Sequence, residues 1–576
     1  MIDYAKFDNS IGLNWYEIDP NLRQIMRRML EAADLACYEP DLERVGALCG
    51  GAIAARAVVT DKHPPELVKF DHWGEQIDQV RHHPGALATK RDLWEAGVSG
   101  SRLHEEAVRR GRRLPQAVPT ALNYMLSQAE IGMLCATGMT NGVIGLVKRF
   151  APPDVQKRFL PHLTAPNFDD AWDGAMFMTE KTGGSDLGTL TTVARRDGER
   201  WSLTGSKWFC SNVDAGAIVT LARPEGAGEG LRGVALFLVP KHRSDGSRNG
   251  INVRRIKDKL GTRAVPTAEA DFADAEAYLL AGDGAAGDGR GINRMMEMVN
   301  DSRRGVAVMG LGIMRRSFLE SAIFAAHRTA FGHSLRELPM MRETLVGMVV
   351  ELEAAAALVF ASAADESAVS RLLVPIAKLR ATRRGVEMAS QAVEIHGGNG
   401  YIEDWPTARL LRDAQSNTIW EGTENIICLD ILRALHSEQV MEAGFAALRA
   451  RADCATAALA PIAQSVTEEL KNLREALGFL SRADRDLRQL RARSFGNYFA
   501  DVAAAALLLE EANWELTNHG NARKAVIAHL FVQTHLRPRP LRGITSGDRT
   551  MLDLFEPITG YGEIEPKRAA AAIRSA

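Results

Sequence analysis

The spacing of apolar residues changes twice along this chain, and this change constrains the fold more than any other feature of the sequence. Up to about residue 172 the spacing is three and four, as in DPNLRQIMRRMLEAADLACYEP at 19–40, which is typical of amphipathic helices. From 173 to about 280 apolar and polar residues alternate, as in RWSLTGSKWFCSN at 200–212, which indicates strands. Helical spacing then returns and continues to the end of the chain. The pattern predicts a β-domain between helical segments.

Four segments follow from these changes. We expect an N-terminal helical domain at 1–172, a central β-domain at 173–280, a C-terminal helical bundle at 281–437 and an additional helical domain at 438–576. Within the first segment, KHPPELVKFDHWGEQIDQVRHHPG is expected to form ordered loops. The Gly-rich LAGDGAAGDGRG that follows the β-domain is not part of a strand-turn-helix unit with an acid about 20 residues on, so a linker is favoured over a dinucleotide-binding fold.

Composition excludes several classes of protein. The chain has 576 residues, 46 % of them apolar, which is enough for a large buried core. Its net charge of −2 provides no global basic field for nucleic acid, and its six cysteines lack the CxxC spacing of zinc sites or of a disulfide framework. The start lacks a signal-peptide pattern, and apolar runs such as AAAALVFASAA are too short to span a bilayer. We therefore expect a soluble cytoplasmic protein without a metal site and without membrane contact.

Two stretches of the β-segment carry groups that suit a flat, polar ligand. MFMTEKTGGSDLGTL at 176–190 offers backbone N–H groups and small hydroxyls in a Gly-rich turn, which suit the edge of a heterocycle or phosphate oxygens. GSKWFCSN at 205–212 follows on a strand, where alternation places Phe209 and Ser211 on one face. Taken singly, the first stretch also fits an ordinary turn and the second a half-buried strand.

Two further stretches lie in the helical segment that follows. AHRTAFGHSL at 326–335 places Arg328 and Phe331 one helical turn apart, where a cation and an aromatic ring can meet a nucleotide together. EIHGGNGYIEDWPTARLLRDAQSNTIWEGT at 394–423 combines a glycine turn, whose bare backbone can approach a pyrophosphate, with Glu421 between Trp420 and a glycine. A solvated turn acid is the alternative interpretation of that glutamate.

In this order the four stretches resemble the acyl-CoA dehydrogenase family, over roughly residues 100–435. The extended N-terminal region, the versions MTEK.GGSD and DGSRNGI...RIKDKLGTR of the motifs, and the long helical tail are similar to the AidB branch, the alkylation-response flavoproteins. The resemblance implies an α+β multidomain fold with an N-terminal helical domain, a central β-domain and a C-terminal helical bundle, followed here by an extra C-terminal helical domain. It also implies bound FAD.

The resemblance assigns cofactor contacts residue by residue. Phe209 takes the place of the family's usual tryptophan beside the isoalloxazine, and Ser211 that of a threonine near its reactive nitrogen. Arg328 and Phe331 match a pair that reaches the FAD of a neighbouring subunit, which implies an oligomer, and we expect a homotetramer. The full set of implied FAD contacts is Met178, Thr179, Ser185, Phe209, Ser211, Arg328, Phe331, Gly397, Gly398 and Thr423.

The resemblance also assigns the chemistry. Removing the weakly acidic α-proton of a thioester needs a held carboxylate, and Glu421 matches the family's catalytic base. Some members carry the base on an earlier helix, but Ser302 stands at that position here, so Glu421 is the candidate. The implied substrate is an acyl-CoA thioester, and the flavin must pass its electrons to an acceptor that the sequence does not identify. Substrate contacts are implied for Ser185, Arg303, Trp420 and Gly422.

Departures from the family pattern narrow the expected substrate. Trp420 replaces the family's tyrosine and adds bulk at the acyl pocket, so we expect a short or branched acyl group. Glu394 and Pro339 stand at positions where glutamine is usual, the second of them at a contact with the partner's FAD.

The tail suggests a second function. Arg482, Arg485, Arg488 and Arg491 are expected on the same helix as an apolar seam, which is formed by Leu480, Ala483, Leu487 and Leu490. A smaller cluster holds Arg537, Arg539 and Arg542. The arginines fit either an ordinary solvated face or a face that binds double-stranded DNA. Two functions thus remain open: dehydrogenation of an acyl-CoA, or an AidB-type flavoprotein that binds DNA with weak or no dehydrogenase turnover.

Overall fold

The computed structural model of the chain describes residues 1–100, 102–364, 367–537 and 540–575. The chain forms two compact units, each built from separate stretches of sequence. Unit 1 contains Met1–Ala52, Pro115–Ala129 and Val306–Ala576, and unit 2 contains Ile53–Leu114 and Glu130–Gly305. The division of the sequence into four consecutive domains stays a prediction.

Helices make up most of the chain. In order they are α1 Pro20–Met29, α2 Ala32–Leu48, α3 Ala54–Lys62, α4 Pro84–Glu95, α5 Arg102–Arg109, α6 Ala117–Ala129, α7 Ile131–Phe150, α8 Pro153–Leu163, α9 Gly291–His327, α10 Pro339–Ala364, α11 Ser370–His396, α12 Gly398–Tyr401, α13 Pro406–Asn417, α14 Glu424–Ala434, α15 Glu438–Asp453, α16 Ala460–Arg482, α17 Arg485–His519, α18 Arg523–His535, α19 Thr550–Asp553, α20 Phe555–Thr559 and α21 Pro566–Ser575.

The strands lie mainly in unit 2. They are β1 Glu66–Phe70, β2 Gln76–Arg81, β3 Gly174–Phe177, β4 Val193–Asp197, β5 Arg200–Ser211, β6 Ala217–Pro224, β7 Ala235–Pro240, β8 Ile251–Ile256, β9 Thr267–Leu279, β10 Thr329–Ala330 and β11 His333–Ser334. Five of them pair in a closed ring, β6–β4–β5–β9–β7 and back to β6. The ring encloses apolar side chains such as Phe177, Phe237 and Phe272, which is how a small barrel fills its interior.

The stretch 62–85 corrects one expectation from the sequence. We expected ordered loops, but β1 and β2 form an antiparallel hairpin that packs beside β8, where the Val253 N–H donates to Asp78 at 3.0 Å. The turn of the hairpin is closed by the Asp71 carboxylate, which accepts the N–H groups of Trp73 and Glu75 at 2.8 and 2.9 Å. Only a few residues alternate on each side of this turn, so the signal of period two was too short to stand out among prolines and histidines.

Unit 1 has a helical interior that contains paired charges. Glu353 of α10 is fully buried and lies 2.5 Å from Arg523 and 2.7 Å from Lys524, both at the start of α18. Lys524 also contacts Glu511 of α17 at 2.6 Å. Buried charges are tolerated only where they are paired in this way. The pairs connect the helical tail to the bundle within unit 1.

Two helices exceed the length that the sequence suggested for apolar runs. By length and composition, α7 and α10 could each cross a membrane, and α10 contains the run AAAALVFASAA, which by itself is too short to do so. Most residues of both helices are buried in the protein interior, which is typical of core helices. These two helices are therefore weak indicators of a membrane span.

Candidate active site

A buried ion pair holds the MTEKTGGSD segment that follows β3 in unit 2. Glu180 of this segment and Lys207 of β5 are both buried, with Lys207 Nζ 2.9 Å from Glu180 Oε1. Lys207 also donates to the carbonyl of Leu221 on β6 at 2.9 Å. The lysine therefore ties the segment to two strands of the barrel.

The Glu180 carboxylate has further donors. It accepts the backbone N–H and the hydroxyl of Thr191, at 2.6 and 2.7 Å, and those of Thr192, at 3.1 and 2.6 Å. Burial raises the pKa of Glu180, but the Lys207 charge and these hydrogen bonds outweigh it and lower the pKa to about 2. Glu180 is thus an ionised anchor near neutral pH and does not suit general acid or base catalysis.

The glycines of the segment are required by its backbone. Gly183 has φ +120°, a conformation that side chains disfavour, and its N–H donates to the Glu180 carbonyl at 3.0 Å. A Cβ on Gly184 would lie 2.6 Å from Thr179 Oγ1. Ser185 is exposed at the end of this turn.

The backbone of β5 places Thr179 beside Trp208, the residue before Phe209. The Trp208 N–H donates to the Thr179 carbonyl at 2.9 Å, so half-buried Met178 and Thr179 run beside this strand. The pairing of β5 with β9 shifts by one residue between Lys207 and Cys210, which is the signature of a β-bulge. Bulges of this kind re-aim side chains next to functional sites.

The bulge presents an aromatic ring and a hydroxyl on the same side of β5. Cys210 is buried, whereas Phe209 is 54 % exposed and Ser211 is half-buried, in agreement with the alternation read from the sequence. Ser211 Oγ lies 3.0 Å from Thr267 Oγ1, and the Lys257 ammonium lies 5.1 Å from the centroid of the Phe209 ring. The strand thus offers a stacking surface with a hydrogen-bonding group beside it.

In unit 1, Glu421 lies on the six-residue turn between α13 and α14. Its φ is +55°, and Gly422 follows with φ +108°. A left-handed conformation is uncommon for a residue with a side chain and is found mostly where neighbouring structure enforces it. Lys378 of α11 donates to the Gly422 carbonyl. Half-buried Trp420 precedes this pair, and exposed Thr423 begins the next helix as its N-cap residue.

Arg328 and Phe331 do not lie on one helical turn, and that expectation was wrong. The helix α9 ends at His327, and the two residues belong to the hairpin of β10 and β11. Phe331 and Gly332 form its two-residue loop with φ +54° and +80°, the backbone of the tight hairpin turns. The spacing of three was therefore a coincidence. Phe331 is 91 % exposed at the tip, and Arg328 is exposed at the base.

The glycine turn predicted at 397–398 is present. Gly397 has φ +59° and ends α11, and no atom lies within 4 Å of an added Cβ at either glycine. Bare backbone facing open space is what a pyrophosphate needs for close approach. Phe324 near the end of α9 stacks on His396 at the end of α11, with 4.3 Å between ring centroids. The ends of α9 and α11 are therefore adjacent, and they lead into the β10–β11 hairpin and the glycine turn, respectively.

The remaining implied substrate residue is Arg303. It is buried on α9 in unit 2 and donates to Asn300 Oδ1 at 3.3 Å. Each unit thus contains its own group of candidate residues. Unit 2 holds Met178, Thr179, Ser185, Phe209, Ser211 and Arg303, whereas unit 1 holds Arg328, Phe331, Gly397, Gly398, Trp420, Glu421, Gly422 and Thr423.

Three sequence families match the chain in the order of these elements. Residues 7–170 match Adaptive response protein AidB N-terminal domain, 175–275 match Acyl-CoA dehydrogenase, middle domain, and 289–436 match Acyl-CoA dehydrogenase, C-terminal domain. The chain belongs to the acyl-CoA dehydrogenase family. This result confirms the family, its AidB-like branch and the fold class that the sequence motifs predicted.

Individual relatives extend the match. The putative acyl-CoA dehydrogenase AidB of Escherichia coli K12 is 35 % identical over 401 residues, covering 65 % of this chain and 70 % of that protein. Acyl-CoA dehydrogenase family member 11 of Caenorhabditis elegans is 32 % identical over 447 residues, covering 74 % and 71 %. The crystal structure of C. elegans ACDH-11 in complex with C11-CoA has a TM-score of 0.83 at 27 % identity, covering 96 % of this chain and 97 % of that one. The chain is a FAD-dependent acyl-CoA dehydrogenase.

The candidate residues fit this cofactor. An exposed aromatic ring beside a hydroxyl on β5 suits the face and edge of an isoalloxazine, and a glycine turn with open Cβ positions suits a pyrophosphate. Two anchoring residues of this acyl-CoA dehydrogenase were missed by the sequence analysis, Lys207 and Lys378. Each stands in a short stretch, SKWFC or PIAKLR, where the sequence alone favours a solvent-facing lysine.

The tail arginines do not share one helix, and that expectation was also wrong. Arg482 is the last residue of α16, whereas α17 begins at Arg485. Asp484 between them caps α17 by accepting the Leu487 N–H at 2.8 Å, and this cap was overlooked because the helical spacing continues across it. Leu490 is 69 % exposed, so it does not anchor the helix to the core. Of the second cluster, Arg539 lies outside the described residues.

Proposed function

We propose that Glu421 is the general base of this acyl-CoA dehydrogenase and removes the α-proton of a thioester whose acyl group is short or branched. The observation that carries the proposal is the left-handed backbone of Glu421. It lies on a turn in which buried Lys378 donates a hydrogen bond to the next carbonyl, that of Gly422. Unfavourable backbone conformations of this kind cluster at functional sites. The family motif around the residue supports the same role.

The reaction divides between chain and cofactor. FAD, when bound, supplies the acceptor for the β-hydrogen, which leaves as a hydride with its two electrons. Glu421 accepts the α-proton, and the two C–H bonds that break leave a carbon–carbon double bond conjugated with the thioester. The task of the chain is geometric, because a general base must be held within hydrogen-bonding distance of the proton that it abstracts.

The restriction to short or branched acyl groups rests on Trp420. Its indole is half-buried next to the base and is larger than the tyrosine usual in the family. The nematode relative was solved with C11-CoA, so an experimental panel must span long acyl chains as well. Faster flavin reduction by straight C10 or C12 acyl-CoA than by C4 or branched C5 acyl-CoA would contradict this part of the proposal.

Substitution of Glu421 tests the base. We expect Glu421→Gln to retain FAD and to slow anaerobic flavin reduction by about 10²-fold to 10⁴-fold, because the amide cannot accept the proton. Glu403→Gln is a matched control, because it also neutralises an acid of this region, one that lies on the surface and pairs with Arg412 at 2.8 Å. Equal reduction rates in Glu421→Gln and wild type would place the base elsewhere.

We propose a homotetramer on the basis of the hairpin tip. Phe331 is almost fully exposed in a left-handed turn, a backbone conformation that is uncommon for an aromatic residue, and the family resemblance matches it to a residue that reaches the FAD of a neighbouring subunit. A neighbouring subunit would cover it. Light scattering should show four chains per particle, and Phe331→Ala should lower both the particle mass and the FAD content. A monomer with full FAD occupancy would contradict the proposal.

A DNA-binding function is a second candidate, supported by the elbow between α16 and α17. Arg482, Arg485 and Arg491 are exposed there, and within the described residues they have no hydrogen-bond or ion-pair partner. Arg488 differs, because its guanidinium donates to the Ala483 carbonyl at 3.0 Å. Free guanidinium groups can contact phosphates without reading sequence.

DNA binding can be tested by comparing the three arginines without a partner in the described part of the chain with Arg488, which has one. Changing Arg482, Arg485 and Arg491 together to glutamine should abolish retention of duplex DNA at about 50 mM salt and leave the flavin spectrum unchanged. Arg488→Gln is the matched control and should retain DNA. Wild-type binding should weaken steeply with salt, because phosphate contacts release counterions. If the triple variant retains DNA as well as the wild type does, the elbow is a solvated surface.

A further inference from the structure

Helix α11 contacts the Glu421 turn and the first residue of the helix that follows it. Lys378 donates to the Gly422 carbonyl, one residue after Glu421, and Arg383 Nε donates to Glu424 Oε1 at 2.5 Å. The two side chains differ in surroundings, since Lys378 is 1 % exposed and the Arg383 side chain is 43 % exposed. One contact is therefore made inside the protein and the other at its surface.

The inner contact acts on a strained piece of backbone. A left-handed conformation is unfavourable for a residue with a Cβ, and Glu421 adopts it with φ +55°. Such a residue keeps its conformation only where its surroundings enforce it. Because Lys378 binds the Gly422 carbonyl, it limits rotation of the peptide unit between Gly422 and Thr423. That unit directly follows the one that joins Glu421 to Gly422, so the contact restricts the turn on the C-terminal side of Glu421.

The helix that carries Lys378 is itself closely packed. A Cβ added to Gly496 of α17 would lie 3.1 Å from Cys428 Sγ of α14 and 3.4 Å from Leu379 of α11, the residue next to Lys378. Helices α11, α14 and α17 thus meet closely at Gly496. Interiors packed closely are stiff, which limits how far α11 can shift beside Lys378.

Burial makes a lysine an expensive choice for packing alone. Taking an ammonium out of water is strongly unfavourable even after relaxation, and an apolar side chain of similar length would fill the same space. The charge-assisted hydrogen bond to the Gly422 carbonyl is a contact that a methionine could not make. The bond ends on the turn of the candidate base, which points to a functional reason for the lysine.

We propose that Lys378 is a positioning residue that holds Glu421 in the orientation needed for proton removal. This inference rests on the proposed role of Glu421 as the base. Lys378 acts through the Gly422 carbonyl and does not itself exchange protons with the substrate. Its loss should therefore slow the chemical step and leave binding of acyl-CoA and FAD unchanged.

The test separates proton removal from hydride transfer. An acyl-CoA analogue in which sulfur replaces the β-carbon has no β-hydrogen to lose, so exchange of its α-hydrogens in D₂O reports proton removal alone. We would measure this exchange by mass spectrometry, and flavin reduction by the best acyl-CoA of the panel, for wild type, Lys378→Met, Lys378→Arg and Glu421→Gln. Apparent affinity for acyl-CoA and FAD content are recorded for each protein.

We expect Lys378→Met to lose about 10-fold to 10²-fold in both rates with unchanged affinity, since a displacement of about 1 Å at a reacting group has an effect of this size. Lys378→Arg keeps a cationic donor and should recover part of the loss. Lys524→Met is the control for removal of a buried lysine. Its ammonium is equally buried but contacts Glu353 and Glu511, so it should lower the melting temperature and leave the rates per bound flavin unchanged.

The outcomes distinguish the two proposals. Normal exchange in Glu421→Gln refutes the base itself, whereas loss of exchange in Glu421→Gln together with wild-type rates in Lys378→Met refutes only the positioning role. Equal losses in Lys378→Met and Lys524→Met per bound flavin would also refute it, because the effect would then be one of general stability. Should Lys378→Met not fold, Lys378→Gln removes the charge with a shorter polar side chain, and wild-type rates in that variant overturn the inference.

Discussion

Two buried lysines hold the two motif segments of this enzyme, and they do so by different means. In unit 2, Lys207 faces the carboxylate of Glu180, which also accepts hydrogen bonds from Thr191 and Thr192. In unit 1, Lys378 donates to a backbone carbonyl, that of Gly422. The first contact joins two side chains of opposite charge, and the second joins a charge to the main chain of a turn.

The difference indicates two kinds of contribution. The ion pair of Glu180 and Lys207 fixes the segment after β3 to strand β5, and removing either partner leaves an unpaired buried charge. A hydrogen bond to a carbonyl in a left-handed turn acts on local backbone geometry, which matters most where a side chain of that turn must meet a substrate. We therefore expect Lys207 to contribute mainly stability and Lys378 mainly catalytic geometry.

The largest expected effect is the loss of stability in Lys207→Met. Breaking a buried pair by removing one partner typically costs about 3–5 kcal/mol, because Glu180 keeps its charge without its counterion. Denaturant unfolding followed by tryptophan fluorescence measures this cost. The double variant Glu180→Leu with Lys207→Met should recover part of the loss. A Lys207→Met protein as stable as the wild type would remove the contrast between the two lysines.

The next largest expected effect is the loss of stability of the folded protein at acid pH. The pKa of Glu180 is lowered from 4.5 to about 2 in the folded protein, so its contribution is complete above pH 4.5 and is lost as the pH falls towards 2. A difference of this size corresponds to about 3 kcal/mol. Unfolding free energies measured from pH 6 to pH 3 should decline more steeply for the wild type than for Glu180→Gln with Lys207→Met. If the unfolding free energies of the two proteins decline equally with pH, carboxylates other than Glu180 determine the acid sensitivity.

The sequence predicted the parts of this enzyme that depend on local pattern. The alternation at 200–212 correctly indicated a strand with Phe209 and Ser211 on one side, and the glycines at 397–398 correctly indicated a turn. The motif around Glu421 identified the family. These features are encoded in short stretches, where backbone preference and residue spacing determine the outcome.

The failures concern features that the tertiary structure determines. A lysine in SKWFC or PIAKLR reads as a solvent-facing residue, and only the assembled fold shows that Lys207 and Lys378 are buried. The spacing of Arg328 and Phe331 fits a helix and a hairpin equally, and in the structure the two residues lie in a hairpin. At Asp484, a capping residue ends one helical pattern and begins another without a change in spacing.

Two glycines with positive φ sharpen the comparison between the segments. Gly183 follows Glu180 with φ +120°, and Gly422 follows Glu421 with φ +108°. Substitution by alanine should strain either turn by about 1–3 kcal/mol. An added Cβ meets nothing within 4 Å at Gly183 but lies 3.1 Å from Ile426 at Gly422. We expect Gly422→Ala to slow α-proton exchange and Gly183→Ala to leave it unchanged. Slower exchange in Gly183→Ala together with normal exchange in Gly422→Ala would contradict the geometric role assigned to the Glu421 turn.

The smallest expected effect comes from the surface contact of α11. Arg383 pairs with Glu424 just after the Glu421 turn, but its side chain is 43 % exposed, and exposed pairs contribute about 0–1 kcal/mol. We expect Arg383→Gln to change the unfolding free energy by less than about 1 kcal/mol and to leave α-proton exchange and flavin reduction at wild-type rates. Because salt screens exposed charges, even this small difference should shrink at 0.5 M NaCl. The effect of Lys378→Met on the exchange rate should be the same with and without 0.5 M NaCl, because the Lys378 contact is buried. If Arg383→Gln slows exchange as much as Lys378→Met does, the turn is held by the whole face of α11, and a single buried lysine is not what orients the base.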